Sequence, residues 1–363
     1  MTLQQSWPRG WWALGEVSLR RSLLWGVLSI LVALVWAEVA PGQADEDRPA
    51  PQKALAVPAR PPVKAPAKAP PPPPSRKDSD QPKPEELTGS ELRTADGVGL
   101  CATFYPSTQG KKAVPVILLH GYQEDRSVFL PLAELLQKQG HAVLVPDLRG
   151  HGDSKEQRLG FSTRTIDAAR MGNEQFGRMV TLDLEALKKY LLEKNNSGKL
   201  NLEKLCVVGS GMGALVAMNW AVLDWSWPIY PGLKQGQYVK ALVLLSPPRS
   251  FRGLNVKPAL EDPKVRGLLS IYLIAGRENA KVFEEVQRLH TALERFHPEP
   301  AKEQTDSKKD LFIKGLETNL QGSKLLGSRG FITEGLIAKF IELRLVKQDF
   351  PWQESGKKAA PSR

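Results

Sequence analysis

The stretch that decides the fold is Leu205-Cys206-Val207-Val208-Gly209-Ser210-Gly211-Met212-Gly213-Ala214. An apolar strand leads into closely spaced glycines and then into a helix-forming segment, which is the layout of a nucleophile elbow, G-x-S-x-G. Gly209 and Gly213 fill the outer glycine positions, and Gly211 occupies the middle position, where the nucleophile is expected. Ser210 stands one residue early, and an elbow presents only one side chain at its apex. The stretch therefore predicts an elbow that lacks its nucleophile.

Two upstream segments end in motifs that accompany such an elbow. The first segment is a predicted strand that ends in His-Gly, Val116-Ile117-Leu118-Leu119-His120-Gly121-Tyr122. The second segment is a predicted strand followed by the pattern D-x-R-G-H-G-x-S, Val143-Leu144-Val145-Pro146-Asp147-Leu148-Arg149-Gly150-His151-Gly152-Asp153-Ser154. In this order and spacing, the three motifs resemble the α/β-hydrolase superfamily, and more narrowly its serine-aminopeptidase and monoglyceride-lipase-like members, over residues 90–350. The resemblance implies the α/β-hydrolase fold.

The rest of the domain alternates between predicted strands and helices. Near-continuous Val, Ile and Leu strands flanked by helices predict an α/β protein with a mostly parallel central sheet, covered on both faces. Their spacing leaves no room for a large lid domain. The predicted strands are Leu100–Tyr105, Val114–His120, His141–Asp147, Lys204–Gly209, Val239–Ser246, Ser270–Ala275 and Asp310–Lys314. The predicted helices are Val128–Gln139, Thr181–Lys194, Met212–Leu223, Val282–Phe296 and Thr333–Val346.

The resemblance also implies a Ser-His-Asp triad, and this sequence departs from it at all three positions. The acid position after the strand that begins at Ser270 holds Asn279, and Glu278 is adjacent but out of register. The base should follow the last strand, but no histidine lies beyond His297. Ser-His-Asp chemistry needs an imidazole to take the serine proton and a carboxylate to hold the imidazole. We therefore interpret the chain as a catalytically degenerate member, a pseudoenzyme.

Other polar residues of the motifs have two interpretations. By the resemblance, the Tyr122 and Met212 backbone N–H groups would form an oxyanion hole. Without a nucleophile, the His120-Gly121 turn is better explained as the end of a strand that is retained for folding. Structural roles are expected for the other candidates: Arg149, His151 and Asp153 in a loop, Asp183 at a helix N-terminus, and His290 and His297 facing solvent.

Composition and cysteine content exclude several classes of site. The chain carries 41% hydrophobic and 25% charged residues, which is ordinary for a globular protein, and part of its net charge of +11 lies in the N-terminal region. Cys101 and Cys206 fall in predicted core strands and are expected to be free thiols. Neither metal-ligand spacing nor C-x-x-C appears, so we predict no metal and no cofactor. No nucleic-acid-binding motif is present.

The N-terminal region predicts export. Basic residues precede an uncharged apolar run, Ser22–Ala37, whose end provides a small-residue cleavage site, as in a secretory signal. The run is short for a membrane span, which needs about 17–25 residues, but an uncleaved signal anchor remains open. We predict a signal peptide or anchor at 1–37, a disordered Pro/Ala/Lys-rich linker at 38–87, the α/β-hydrolase-like domain at 88–350 and a disordered tail at 351–363.

Three functional hypotheses follow. The first is an exported or membrane-tethered protein of the periplasm, cell envelope or extracellular space that has lost its triad and binds an unknown small ligand or protein partner. The second is an active serine hydrolase of esterase, lipase or peptidase type, with Ser210 as nucleophile and His120 or His151 as base. The third is a structural or interaction module of the cell envelope.

Overall fold

One mixed sheet organises the domain in the computed structural model, which describes residues 81–228, 230, 233–301, 308–327 and 332–355. The predicted segment 1–37 and residues 38–80 of the predicted linker lie outside these residues. The described strands are β1 (Glu85–Arg93), β2 (Val98–Tyr105), β3 (Pro115–Leu119), β4 (Ala142–Pro146), β5 (Glu156–Leu159), β6 (Ser162–Thr165), β7 (Leu205–Ser210), β8 (Val239–Leu245), β9 (Ser250–Phe251), β10 (Leu254–Asn255), β11 (Ser270–Gly276) and β12 (Leu311–Leu316). The described helices are α1 (Leu130–Lys138), α2 (Asn173–Arg178), α3 (Leu184–Asn196), α4 (Met212–Ser226), α5 (Lys257–Glu261), α6 (Pro263–Leu268), α7 (Ala280–Glu294) and α8 (Thr333–Ile341).

The sheet has a parallel part and an antiparallel part. Its strand order is β12-β11-β8-β7-β3-β4-β2-β5-β6, with β1 beside β2. All neighbours from β12 to β4 are parallel, and all pairings of β2, β5, β6 and β1 are antiparallel. Strands β3, β4 and β7 are buried along their whole length, as expected for strands covered on both faces. The predicted, mostly parallel α/β sheet is confirmed.

Helices pack on both faces because side chains alternate along each strand. In β7, Leu205 and Val207 join the core that includes residues of α3, α4 and α7. Cys206 and Val208 face the opposite core, which includes residues of α1 and α8. Cys206 is buried, and it and Cys101 are free thiols. The elbow strand is therefore held from both sides, which fixes the position of the turn that follows it.

No lid domain covers the carboxyl ends of the parallel strands within the described residues. The connection from β8 to β11 contains the β9–β10 hairpin and the short helices α5 and α6. None of the helices in the described ranges is long and apolar enough to cross a membrane. The described residues thus add short connections to the sheet rather than a second layer over it.

Three strands of the main sheet, and the short β9–β10 hairpin, are absent from the sequence prediction. Strand β1 begins at Glu85, inside the predicted linker and before the predicted domain start at residue 88, and only Leu87 and Leu92 of it are buried. The β5–β6 hairpin is exposed at every residue except Gln157. Strands that bury so little carry no continuous apolar pattern. Backbone pairing of β1 and β5 with β2, and of β6 with β5, places them in the sheet.

The end of the chain corrects the prediction of a disordered tail over 351–355. The Asn195 and Asn196 side-chain amides donate to the backbone oxygens of Gln353 and Ser355, at 2.9 and 2.8 Å. The Asn201 amide donates to the Phe350 oxygen at 2.8 Å. These three amides lie at and just after the end of α3 and hold the segment against the domain. The prediction for residues 356–363 lies outside the described residues.

Candidate active site

The turn between β7 and α4 has the backbone of a nucleophile elbow. Gly211 directly precedes α4 with φ 51° and ψ −112°, a region that glycine adopts without the steric cost of a Cβ. Its N–H donates to the Leu245 oxygen of β8 at 2.9 Å, which fixes the turn against the sheet. A Cβ at Gly211 would meet no heavy atom within 4 Å. The apex therefore has room for a side chain but carries none.

Close packing requires the two outer glycines. A Cβ at Gly209 would lie 2.5 Å from the Gly213 oxygen and 2.6 Å from the Ala214 Cα. A Cβ at Gly213 would lie 2.5 Å from the His120 oxygen and would also meet the Leu119 oxygen. Both glycines let α4 approach β7 and β3 closely, a need that exists whether or not the turn carries a nucleophile.

Ser210 lies below the apex, at the end of β7. Its residue surface is 2% exposed. A Cβ at Gly322 would lie 2.8 Å from the Ser210 Oγ, so this hydroxyl faces the loop that follows β12. In the described part of the chain, which contains all five histidines, no hydrogen bond joins Ser210 to a histidine. The structure does not bring together the runner-up nucleophile and a base.

Asn279, at the acid position, is the N-cap of α7. Its side-chain oxygen accepts a hydrogen bond from the Val282 N–H at 3.3 Å, which satisfies one of the unpaired donors of the first helical turn. The adjacent Glu278 contributes its backbone N–H to the Thr318 oxygen at 3.1 Å. An amide in this place caps the helix and has no ionised form that could orient an imidazole.

The loop after β12, where a base would stand, is tied down by Gln321. The Gln321 Nε2 donates to the Gly276 oxygen at 2.8 Å, and its Oε1 accepts from the Ser246 Oγ at 2.7 Å. The Ser246 Oγ in turn accepts from the Gly322 N–H at 2.9 Å. This bridge joins the ends of β8, β11 and β12. The bridge could not be predicted from the sequence, because Ser246 and Gln321 are 75 residues apart and belong to no motif.

The loop after β3 carries Tyr122, one of the two candidate oxyanion donors, and a carboxylate; the other donor, Met212, begins α4. Glu124 accepts from the Gly121 N–H at 2.7 Å and from the Ser323 Oγ at 2.5 Å. A Cβ at Gly121 would lie 2.7 Å from that carboxylate and 3.6 Å from the Ser210 oxygen, so the carboxylate sits close to the elbow. An oxyanion hole stabilises negative charge that develops on the substrate, and a fixed carboxylate close by opposes this. The role of the Tyr122 and Met212 N–H groups remains a prediction.

The Asp147–Ser154 loop is held by a buried ion-pair network. The Arg149 side chain is fully buried, and its Nη2 and Nε donate to Asp183 at 2.6 and 2.9 Å. Its Nη1 donates to Asp96 at 2.8 Å. Asp147 accepts the N–H of Arg126 at 2.7 Å and also pairs with the Arg126 guanidinium. Burial disfavours the charged form of Asp96, but hydrogen bonds from Arg149 and others outweigh it and lower the pKa of Asp96 to about 2.

The expectation that Asp183 lies at a helix N-terminus was wrong. The predicted helix Thr181–Lys194 starts earlier, as α2, and continues through a π-helical turn at Met179–Asp183 into α3. Asp183 lies within this continuous helix and is fully buried. Its carboxylate also accepts from the Arg149 backbone N–H at 3.1 Å. It is therefore the partner of the buried arginine, and it joins the helix to the loop.

His120 and His151 form a buried pair, with ring centroids 5.0 Å apart and ring planes tilted by 56°. His120 donates from Nδ1 to the Gly121 oxygen at 2.7 Å and accepts at Nε2 from the Leu148 N–H at 3.0 Å, which fixes its neutral tautomer. The His151 Nδ1 lies 3.0 Å from the Arg149 oxygen, and its Nε2 is buried with no hydrogen-bond partner. Burial lowers the pKa of His120, and burial with the neighbouring His120 lowers the pKa of His151 to about 4. Both rings are therefore neutral at pH 7.

His297 is buried, so the expectation that it faces solvent was wrong. Its side chain is fully buried, and its Nδ1 lies 2.8 Å from the Asp310 carboxylate. The segment after α7 brings His297 against the start of β12, at the amino ends of the parallel strands and away from the elbow. His290 is half-buried, and burial lowers its pKa. Within the described ranges, no three His, Cys, Asp or Glu side chains are arranged to hold a metal ion.

Comparisons with known proteins agree with this architecture. The family model for serine aminopeptidase (S33) matches residues 110–269, and a search of curated proteins finds no match. An esterase of Pyrococcus furiosus is similar in structure, at 20% identity over 72% of this chain and 91% of its own, with a TM-score of 0.50. A dienelactone hydrolase of Anabaena variabilis has 17% identity over 73% of this chain and 99% of its own, with a TM-score of 0.49. With its sheet order and its elbow turn, the chain has the α/β-hydrolase fold, and its residues 110–269 match the serine aminopeptidase family model.

Proposed function

We propose that this chain is a non-catalytic α/β-hydrolase-fold protein that binds a small ligand or a protein partner. The observation that carries the proposal is the apex of the elbow. Gly211 has the backbone angles of the turn and free space around a would-be Cβ, but no nucleophilic atom. A serine hydrolase needs an activated side chain at this point.

The surroundings of the apex support the same conclusion. Asn279 and Gln321 stand in the loops where an acid and a base are expected, and each is engaged in hydrogen bonds that hold the fold. Glu124 adds a carboxylate beside Gly121, where catalysis would need positive potential. For the alternative hydrolase that uses Ser210, this hydroxyl would need an imidazole within reach, but its neighbour is Gly322.

The proposal includes export, with the protein either released or tethered through residues 1–37. The basic start, the apolar run and the small-residue site that follows support a secretory signal. Fractionation of cells that express the full chain, with N-terminal sequencing of the mature protein, tests this part. A full-length protein in the cytoplasmic fraction would contradict it.

Turnover of a simple aryl ester tests the loss of catalysis. We expect no turnover by the native chain and none by Gly211→Ser, because a new serine at the apex still lacks a base to take its proton. Ser210→Ala is the matched control, since it removes the only other elbow hydroxyl. Native turnover that disappears in Ser210→Ala would establish the alternative hydrolase. Clear turnover by Gly211→Ser would reveal a base that the proposal denies.

A further inference from the structure

A cavity of about 350 Å³ opens beside the elbow end of the sheet, at residues that no catalytic motif includes. Pro247 follows β8, Val256 and Leu260 come from the α5 region, and Leu289 comes from α7. Pro247 and Leu289 are buried and form the depth of the cavity, and Val256 and Leu260 are half-buried at its side. Open α/β sheets bind ligands at the carboxyl ends of their strands, and small-molecule sites start at about 300 Å³.

Three charged residues line the same cavity: Arg249, Glu285 and Arg288. Arg288 donates to Glu284 one turn earlier on α7, at 3.2 Å. Glu285 accepts the Arg249 backbone N–H at 3.4 Å. The Arg249 guanidinium has neither a hydrogen bond nor an ion pair within the described residues. The cavity therefore has an apolar interior, and the Arg249 guanidinium in its lining has no partner among the described residues.

The backbone of Arg249 is fixed although its side chain is not. Besides the contact with Glu285, the Arg249 oxygen accepts from the Val256 N–H at 3.2 Å, which closes the β9–β10 hairpin at its base. A guanidinium presents a planar set of donors that fits a carboxylate in a bidentate manner. A free guanidinium on a fixed backbone, next to apolar walls, is suited to a ligand with an anionic end and an apolar body.

We propose that this cavity binds a small amphipathic carboxylate, with its apolar body against Leu289 and its carboxylate on Arg249. The proposal rests on the binding role proposed above and names the ligand class and the site. Glu285 repels the ligand carboxylate but is occupied by the Arg249 N–H, and Arg288 is occupied by Glu284. Arg249 therefore decides the sign of the charge that the site accepts.

Calorimetric titration of the purified chain with octanoate tests the ligand class. Octanol and octylammonium are matched probes, because they keep the alkyl body and change only the head group. We expect saturable binding of octanoate, at least about ten-fold weaker binding of octanol, and no binding of octylammonium, since hydrogen bonds between charged partners are about twice as strong as neutral ones. Equal affinity for octanoate and octanol, or no saturable binding of octanoate, would overturn the proposal.

Variants locate the site. Arg249→Gln should weaken octanoate binding about ten-fold or more, and Leu260→Trp should block it by filling the cavity from its half-buried side. Lys281→Gln is the charge-matched control, because Lys281 is exposed on the same helix and does not line the cavity. Glu285→Gln should strengthen binding by removing a repulsive charge. Octanoate binding that is unchanged in both Arg249→Gln and Leu260→Trp would place the ligand elsewhere and contradict the assignment.

Failure of this inference can be distinguished from failure of the proposed function. A chain that hydrolyses aryl esters but still binds octanoate through Arg249 would disprove the non-catalytic role and leave the site intact. A chain without esterase activity that does not bind octanoate would disprove the site alone.

Discussion

Two loops at the carboxyl edge of the sheet differ in what their side chains do. In the Asp147–Ser154 loop, the buried charges of Asp147 and Arg149 have partners at hydrogen-bond distance. At the elbow, Gly209 and Gly213 are needed for packing, while Gly211 leaves its space empty. The buried charges that hold the loop are paired, whereas the apex of the elbow carries no side chain. Under the proposed function, the hydrolase fold is retained and the catalytic site is lost.

The largest expected effect comes from breaking the complete loop. Arg149→Met leaves Asp183 buried without its cationic partner, and removing one member of a buried pair costs about 3–5 kcal/mol. Arg178→Met is the matched control, because Arg178 also binds Asp96 but is 34% exposed; partly exposed pairs contribute about 0–1 kcal/mol. Urea unfolding measures both. Equal losses in the two variants would show that the buried network does not hold the loop.

Substitutions at the elbow glycines should separate packing from backbone strain. Gly213→Ala places a Cβ against the Leu119 and His120 oxygens, so we expect a loss of about 3 kcal/mol. In Gly211→Ala the new Cβ meets no neighbouring atom, so only the positive φ lowers the free energy of unfolding, by about 1–2 kcal/mol. Thermal melting compares the two variants. A larger loss at Gly211 than at Gly213 would contradict the view that the apex is open.

A smaller effect depends on pH and comes from the buried histidines. His151 has a folded-state pKa of about 4, below the ordinary value of 6.5, so between these values the unfolded chain binds a proton that the folded chain does not. Stability contributed by the neutral ring is therefore present above pH 6.5 and falls as the pH drops towards 4. With about 1.4 kcal/mol per unit of pKa difference, we expect a loss of about 2 kcal/mol between pH 7 and pH 5.

His151→Gln should remove this part of the pH dependence. The free energy of unfolding, measured for the native chain and the variant at both pH values, isolates the contribution of His151. The comparison of native chain and variant is needed because Asp224 changes stability in the opposite direction. Burial raises the pKa of Asp224 to about 6, so its protonation in the folded state stabilises the protein as the pH falls. This contribution is present in both proteins and cancels. Parallel pH profiles for native and variant would show that His151 is not held neutral.

The sequence predicted the elements that are defined by apolar runs. Strands β3, β4, β7, β8 and β11 are rich in Val, Ile and Leu, and the glycine spacing of the elbow identifies the turn. Strands β1, β5 and β6 were missed because their residues are mostly exposed and polar. For them, pairing with a neighbouring strand, β2 for β1 and β5 and β5 for β6, decides the structure. No local sequence pattern indicates such pairing.

Site residues were predictable where a motif fixes their place and missed where a distant partner does. Motif register predicted the positions of Gly211 at the turn before α4 and of Asn279 in the loop after β11; their roles remain predictions. Asp183 and His297 were misassigned because their partners, Arg149 and Asp310, are 34 and 13 residues away and become neighbours only in the fold. Burial of these polar groups is a tertiary property, and local sequence suggested only a helix start and a solvent-facing helix end.

The central claim, that no activated nucleophile exists at the elbow, is tested most directly by a fluorophosphonate probe on the native chain. Such a probe forms a covalent bond with an activated serine, and the mass of the intact protein reports the adduct. An active serine hydrolase treated in parallel shows that the probe is reactive. We predict no adduct on this chain. A single adduct at Ser210 that is lost in Ser210→Ala would contradict the account and make the chain a serine hydrolase of unusual layout.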